Sequence, residues 1–258
     1  MRLRILGCSG GIGGRHLRTT SMLLDHDVLI DAGTGVMDLS IAELAAIDHV
    51  FLTHTHLDHV AALPLMVDTV GDMRGRPLTV HASEAALAIL GQHLFNWSIW
   101  PDFREIPHPE RPFLRFAPFE PGERRDLGQG RWISPLPAEH TVPAVGYLLE
   151  SGQGSLAFSG DTGSCPAFWE AVNQRTDLRA LIIECAFSNR EEALARVSRH
   201  LCPNALVAEL QQFAHGDHCD IYVTHLKPGQ IELTMEEIET CLGNFRLRML
   251  QNNQVIEL

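Results

Sequence analysis

The chain has very few lysines for its size. Lys227 is the single lysine among 20 basic residues, and 32 acidic residues give 258 residues a formal net charge of −12. An acidic surface repels nucleic acid at long range and gains little from counterion release. The charge therefore counts against a large polynucleotide as the partner. It does not exclude a small anionic substrate, because bound metal ions reverse the local field.

The sequence also has no long apolar run. No stretch approaches the roughly 20 apolar residues that a membrane helix needs, and the first residues contain no apolar signal-peptide core. The six cysteines are scattered without a CxxC pair, a pattern typical of reduced, buried thiols. We therefore expect a cytoplasmic protein with no membrane segment.

Short apolar strands and helical patterns occur in both halves of the chain. The predicted strands are residues 2–6, 21–24, 28–30, 49–52, 132–135, 145–149, 155–158, 181–183 and 221–223. The predicted helices are residues 40–47, 60–70, 84–94, 166–173, 190–200 and 204–215. Strands with helices in both halves indicate an α/β protein, a four-layer αββα sandwich. No linker separates the halves, so residues 1–258 are predicted to form one domain.

A proline-rich and aromatic segment stands apart at about residues 95–121. Its prolines interrupt regular structure, and its tryptophans and phenylalanines predict a loop or cap that is packed by aromatic side chains. We favour a capping subdomain or a dimer contact over a wall that stacks on a planar base. The sequence leaves a homodimer open.

What the chain does have is histidine, with 14 in all. His54, His56, Asp58 and His59 lie within six positions directly after an apolar strand. One metal ion cannot use all four side chains and still keep a catalytic water. The segment therefore predicts two adjacent ions, which in such sites lie about 3.5–4 Å apart.

Three more ligand-type residues follow predicted strands or precede them. His140 precedes the strand at residues 145–149, Asp161 follows a strand within a glycine-containing turn, and His225 follows the strand at residues 221–223. Loops at strand ends are where side chains assemble into sites on a rigid scaffold. Asp31 is expected to brace the metal loop rather than to bind metal.

Together these residues resemble the site of the metallo-β-lactamase-fold hydrolases, and the match extends over essentially the whole chain. The resemblance implies that His54, His56 and His140 hold one ion, that Asp58, His59 and His225 hold the other, and that Asp161 bridges them. Zinc is the metal expected for histidine and carboxylate ligands, with manganese or iron as alternatives.

Within that superfamily, further segments resemble the class II cyclic-nucleotide phosphodiesterases. These segments are residues 20–24, 29–35, 140–143, 183–189, 198–203 and 224–228. The resemblance implies a binuclear phosphodiesterase that hydrolyses a small-molecule phosphodiester, a 3′,5′-cyclic nucleotide, to the 5′-monophosphate. The hypothesis for the reaction is hydroxide attack on phosphorus.

Other functions remain open on this fold. The ribonuclease Z-like tRNA 3′-processing endonucleases share several of the motifs, but they resemble one another in a long insertion that grips tRNA. Here only a strand, a turn and a strand fit between His140 and Asp161. Hydrolysis of lactones, thioesters or β-lactams is a further alternative, because the metal site alone does not choose the bond. A metal-binding or regulatory protein that has kept the fold is the non-enzyme alternative, although such proteins usually lose ligands and none is missing here.

The catalytic residues predicted from the sequence are Asp58, His200 and Glu184. His200 is the candidate proton donor to the leaving oxygen, and Glu184 would fix its tautomer, a pairing that the resemblance to the ribonuclease relatives supports. The alternative is an unrelated helix-surface histidine and strand-end glutamate. Lys227, two residues after His225, is predicted to hold a phosphate oxygen, the alternative being a solvated loop lysine.

Overall fold

The computed structural model describes residues 1–14, 16–216, 218–241 and 245–258, and within them the chain is rich in strands. The strands are β1 (Arg2–Gly7), β2 (Ser21–Leu24), β3 (Val28–Ile30), β4 (His49–Phe51), β5 (Leu78–Ala82), β6 (Pro107–His108), β7 (Arg111–Pro112), β8 (Leu114–Pro118), β9 (Arg125–Gly128), β10 (Arg131–Pro137), β11 (Val145–Ser151), β12 (Gly154–Phe158), β13 (Leu178–Glu184), β14 (Asp220–Thr224), β15 (Leu247–Met249) and β16 (Val255–Glu257). The α-helices are α1 (Ile41–Ala46), α2 (Leu57–Val60), α3 (Leu63–Val70), α4 (Glu84–His93), α5 (Pro166–Asn173), α6 (Glu192–Ser198), α7 (Pro203–Leu210) and α8 (Ile231–Cys241).

The strands form two seven-stranded mixed sheets. The first has the order β16-β1-β2-β3-β4-β5-β8, the second has the order β15-β14-β13-β12-β11-β10-β9, and β6 pairs with β7 in a separate hairpin. Strands β3, β4, β5 and β8 run parallel in the first sheet, and β12, β13, β14 and β15 run parallel in the second. Each sheet therefore has an edge where the carboxyl ends of several parallel strands meet.

Buried side chains that alternate between the two faces of each sheet divide the core into layers. Neighbouring side chains of a strand point to opposite faces of its sheet. In β2, Met22 and Leu24 join a buried cluster between the two sheets, whereas Leu23 packs under the helices of the first sheet. In β13, Ile182 faces the other sheet and Leu181 packs under the helices of the second. Helices thus cover both outer faces, and the predicted four-layer αββα sandwich is confirmed.

The sequence patterns did not predict strands β5, β9, β15 and β16 or helix α8, and α7 ends at Leu210 instead of at residue 215. Two further segments differ from their prediction. The helix predicted at residues 60–70 begins only at Leu63, in α3, and Val60 is the last residue of the separate short helix α2. Pro64 lies in the first turn of α3 and has no N–H to donate to the preceding turn. The segment at 95–121, predicted to be a loop or cap, includes the hairpin β6–β7 and the sheet strand β8. Strand β8 is at the sheet edge, where its terminal Pro118 costs no ladder hydrogen bond. The single domain over residues 1–258 stays a prediction.

Within the described residues, none of the helices has the length and apolar character that crossing a bilayer requires.

Candidate metal centre

The carboxyl ends of four strands position three candidate ligands and Glu184. His54 lies just beyond β4, Asp161 follows β12, Glu184 is the last residue of β13, and His225 directly follows β14. The two sheets are joined beside this edge, where the Val145 N–H donates to the carbonyl of Thr53 at 3.0 Å. Ligand-type residues from both sheets therefore converge on one place.

The first group consists of His54, His56 and His140, whose candidate ligand atoms all lie within 4.8 Å of one another. Nε2 of His140 lies 3.1 Å from Nδ1 of His56. The imidazoles of His54 and His140 meet edge to face, with ring centroids 4.9 Å apart. The structure thus brings together the three histidines that the family resemblance assigned to one ion.

The second group consists of Asp58, His59, Asp161 and His225, again with candidate ligand atoms within 4.8 Å of one another. Oδ2 of Asp161 lies 3.2 Å from Nε2 of His59 and 3.6 Å from Nε2 of His54. Asp161 therefore contacts both groups. This is the position that a carboxylate bridging two ions would need.

The unpaired nitrogens of this site fit divalent metal ions. Nε2 of His54, of His59 and of His225 is buried without a hydrogen-bond partner in the described structure. Buried polar atoms are rarely left unpaired, and a place for a bound ion is one reason when they are. On the opposite side of the ring, Nδ1 of His59 lies 2.8 Å from Oδ2 of Asp31. Ligating histidines usually have such a carboxylate behind them. This contact agrees with the bracing role expected for Asp31.

Thr53 fixes the tautomer of His54. The Thr53 hydroxyl donates its one proton to Oδ2 of Asp31 at 2.8 Å, and its oxygen lies 3.0 Å from Nδ1 of His54. Because that hydroxyl proton is already used, Nδ1 of His54 must be the donor in the second contact. Nε2 of His54 then carries no proton and presents a lone pair to the site.

Burial also favours the neutral form of His54, His140 and His225. It lowers the pKa of His140 to about 4 and the pKa of His225 to about 3. For His54, burial holds the pKa well below its usual range. A neutral imidazole is the form that ligates a metal, so these side chains need not lose a proton before they bind one. His59 differs, because although burial lowers it, the Asp161 and Asp31 carboxylates raise the pKa of His59 well above its usual range.

The predicted pair of Glu184 and His200 lies beside both groups. Nδ1 of His200 is 2.7 Å from Oε1 of Glu184, and the His200 ring stacks on that of His225 with centroids 5.2 Å apart. Although burial lowers it, the neighbouring Glu184 carboxylate raises the pKa of His200 above its usual value. Burial raises the pKa of Glu184 itself, which also accepts the backbone N–H of Thr162 at 3.1 Å.

Lys227 contacts the main chain of the loop that follows β1. Its Nζ donates to the carbonyl of Gly10 at 2.6 Å and lies 5.8 Å from the ring centroid of Phe187. An ammonium has three protons, so this contact leaves donors for another partner. The predicted contact of Lys227 with phosphate stays a prediction.

Sequence reasoning missed Arg199, which lies between α6 and His200. Its carbonyl accepts a hydrogen bond from Nδ1 of His140 at 3.0 Å. Any residue type can offer a backbone carbonyl, so no sequence signal marks this contact. A cavity of about 550 Å³ borders the same place and is lined by Glu139, Arg199 and His200 among others.

The fold and the site define a metallo-β-lactamase-fold protein with residues suited to divalent metal ions. Residues 26–226 match the family described as the beta-lactamase superfamily domain, and the chain belongs to that family. The resemblance seen in the sequence is thereby confirmed.

Individual relatives carry different names. A probable 3′,5′-cyclic-nucleotide phosphodiesterase of Yersinia pestis is 26% identical over 205 residues, which cover 71% of this chain and 58% of that protein. A ribonuclease Z of Clostridium beijerinckii is 28% identical over 154 residues, covering 56% of this chain and 47% of that protein. The chain thus spans about half the length of the curated relatives it matches. The crystal structure of unliganded yeast PDE1 has the same fold, with a TM-score of 0.83 at 19% identity, covering 100% of this chain and 99% of that one.

Proposed function

We propose that this chain is a binuclear phosphodiesterase that hydrolyses 3′,5′-cyclic nucleotides to 5′-monophosphates. The observation that carries the proposal is the position of Asp161. Its Oδ2 lies within 3.6 Å of Nε2 of His54 in one group and within 3.2 Å of Nε2 of His59 in the other. Two ligand groups that share one carboxylate suit a pair of ions that act on the same phosphoryl group.

The chain's own residues would hold the two ions as the sequence predicts. His54, His56 and His140 would form one ligand set, and Asp58, His59, His225 and Asp161 would form the other. Asp161 would be shared with the first set through His54, whose Nε2 lies 3.6 Å from Oδ2 of Asp161. When bound, divalent ions lower the pKa of water towards about 7 and neutralise charge on phosphoryl oxygens. Zinc is the first candidate for these ligands, and manganese or iron would also accept them.

His200 is the residue that we assign to the leaving oxygen. The Glu184 carboxylate accepts from Nδ1 of His200, which directs the opposite ring nitrogen away from Glu184. The carboxylate also stabilises the protonated imidazole, the form that a proton donor needs. Asp58 takes part as a ligand beside the reacting group, and the remaining Lys227 protons would contact a phosphoryl oxygen.

Three observations support a small phosphodiester as the substrate. The relative from Yersinia pestis is named for action on 3′,5′-cyclic nucleotides. The chain between His140 and Asp161 is the short hairpin of β11 and β12, which leaves no room for an RNA-gripping arm there. The net charge of −12 disfavours a long polyanion.

The direct test is hydrolysis of 3′,5′-cyclic AMP and 3′,5′-cyclic GMP by the metal-loaded protein, with the products separated and Asp161→Ala as the blank. We expect release of the 5′-monophosphate by the wild type and none by the variant. Binding of about two metal ions per chain without turnover of either nucleotide would refute the substrate assignment and leave the site standing.

A ribonuclease Z-like activity is the second candidate, because the Clostridium beijerinckii relative of 28% identity carries that name. It would require cleavage of a precursor tRNA at its 3′ side by the same metal-loaded protein. Cleavage of precursor tRNA together with no turnover of cyclic nucleotides would select this alternative. Turnover of neither substrate would direct the search to lactones and thioesters.

A further inference from the structure

Arg199 contacts the candidate ligand His140 from two directions. The carbonyl of Arg199 accepts from Nδ1 of His140 at 3.0 Å, and Nη1 of the same residue donates to the carbonyl of His140 at 2.7 Å. The guanidinium also lies 3.4 Å from the carboxylate of Glu139. One residue therefore holds the imidazole and the main chain of a candidate ligand.

Each contact has a consequence for the orientation of His140. A carbonyl can only accept, so Nδ1 of His140 carries the proton and Nε2 is free of one. That Nε2 faces Nδ1 of His56 at 3.1 Å, inside the first ligand group. The contact with the His140 carbonyl fixes the main chain from which the imidazole projects. Both contacts therefore help to fix the position of Nε2 of His140, one through the imidazole ring and the other through the backbone.

The segment that carries His140 has little other regular support. It lies between β10 and β11, outside the sheet. The Glu139 N–H donates to the Thr162 hydroxyl at 2.9 Å, and the Gly163 N–H donates to the Glu139 carbonyl at 2.8 Å. These bonds hold residue 139, whereas Arg199 holds residue 140. Removing the guanidinium would therefore loosen the ligand itself.

The backbone of Arg199 is in the left-handed region, with φ 52° and ψ 54°, where it caps α6. Glycine is the residue most often found at such a helix end, because a Cβ is unfavourable there. A glycine would provide the same carbonyl without strain. The arginine side chain therefore contributes something that the helix end alone does not require.

We propose that Arg199 is a positioning residue, which holds His140 in the orientation that metal binding requires through its guanidinium as well as its carbonyl. The inference rests on the metal-binding part of the proposed function. Its test is metal affinity of the apo protein, which needs no substrate.

The informative variant is Arg199→Gly. It keeps the left-handed backbone and the carbonyl that accepts from His140, and it removes only the side chain. The matched control is Arg196→Ala, which removes a guanidinium from α6, the helix that Arg199 caps, and from the lining of the same cavity. Arg196 is 79% exposed and is paired with Glu192 at 2.9 Å, on the solvent side. Arg199→Lys keeps the positive charge but replaces the planar donor group.

Each apo protein is titrated with zinc in the presence of a competing chelator, and calorimetry follows the heat of binding. The melting temperature of each apo protein is measured as well. We expect Arg199→Gly to weaken one of the two binding events by about 10–100-fold, the range found when a residue that orients a ligand is removed. The other event and the apo melting temperature should stay close to those of the wild type. Arg196→Ala should bind as the wild type does, and Arg199→Lys should lie between.

Three outcomes would overturn the inference. Equal zinc affinities for Arg199→Gly and the wild type would show that the guanidinium does not position His140. Loss of both binding events with a lower apo melting temperature would indicate a folding defect. An unchanged zinc affinity with a raised KM would assign Arg199 to the substrate. If the wild type bound none of zinc, manganese and iron, the proposed function would fail as well, so the two failures are distinguishable.

Discussion

Replacing Gly10 with alanine should displace the imidazole of His225. A Cβ added to Gly10 would lie 2.4 Å from the carbonyl oxygen of His225, 2.9 Å from its Cδ2 and 3.1 Å from its Nε2. The loop cannot simply move away. The Gly10 N–H donates to the Leu226 carbonyl at 3.1 Å, and Lys227 donates to the Gly10 carbonyl at 2.6 Å. The new methyl group therefore has to push the candidate ligand or break these bonds.

The expected size of the effect follows from the close contacts. Forcing a methyl group into a packed site costs about 1–3 kcal/mol. For a chain of this length each kcal/mol lowers the melting temperature by roughly 2–4 °C, so the apo protein should melt roughly 2–12 °C lower. Disturbing the environment of a metal ligand typically weakens metal affinity by about 10–100-fold. Because Gly10 contacts the candidate ligand His225 itself, we expect a value at the upper end.

The assay compares zinc affinity and melting temperature of Gly10→Ala with those of Gly152→Ala. Gly152 lies in the turn between β11 and β12, and a Cβ there would meet no heavy atom within 4 Å. The control variant should therefore behave as the wild type. Equal zinc affinities for the two variants would refute the reasoning, because they would mean that the packing of Gly10 on His225 does not determine the position of the ligand.

Three further changes have defined outcomes. His200→Ala should keep the metal content and lower kcat by roughly 10²-fold or more, and an unchanged kcat would remove His200 from the mechanism. Removing metal with a chelator should abolish turnover, and adding back zinc, manganese or iron should restore turnover for at least one of the three metals. Turnover that persisted in metal-free protein would contradict the proposed function. Burial raises the pKa of the Asp27 carboxyl, but the Arg131 guanidinium outweighs it, and the pKa in the folded protein is lowered. The ionised carboxylate therefore stabilises the fold above its unfolded pKa of about 3.9. This stabilisation is lost as the pH falls through the lowered pKa of the folded state. Asp27→Asn should therefore cost about 1–3 kcal/mol at pH 7 and progressively less below about pH 4 in thermal melts, and a deficit that did not depend on pH would argue against the ion pair.

The strands and helices that could be predicted are those with a strong local pattern. Strands 21–24 and 28–30 and helix 166–173 have the predicted bounds, because each is an apolar or periodic run with a clear end. Strand β8 could not be predicted, since its pairing with β5 is a contact between distant segments and the prolines of the surrounding segment argue locally for a loop. The periodic apolar pattern at residues 60–70 predicts one helix and gives no sign of the helix break before Pro64. The local sequence pattern thus predicts whether a segment forms a strand or a helix, whereas the pairing of an edge strand depends on tertiary contacts.

The candidate ligands could be predicted for a different reason. Four ligand-type side chains within six positions are rare by chance, and His54 and Asp161 follow apolar strands. The contacts behind the ligands could not be predicted in the same way. The acceptor for Nδ1 of His140 is the backbone carbonyl of Arg199, which has no side-chain signature. Likewise, the ammonium of Lys227 is directed to the Gly10 carbonyl, and only the three-dimensional structure places that loop beside it.

Thr53 links the packing of the two sheets to the geometry of the candidate metal site. Its carbonyl accepts from Val145 of the second sheet, and its N–H and hydroxyl both donate to Asp31 of the first. Asp31 in turn holds Nδ1 of His59, while the Thr53 hydroxyl oxygen receives Nδ1 of His54. A change that shifts one sheet against the other must therefore alter the direction of both imidazoles. It follows that core substitutions between the sheets should change metal affinity without touching any ligand.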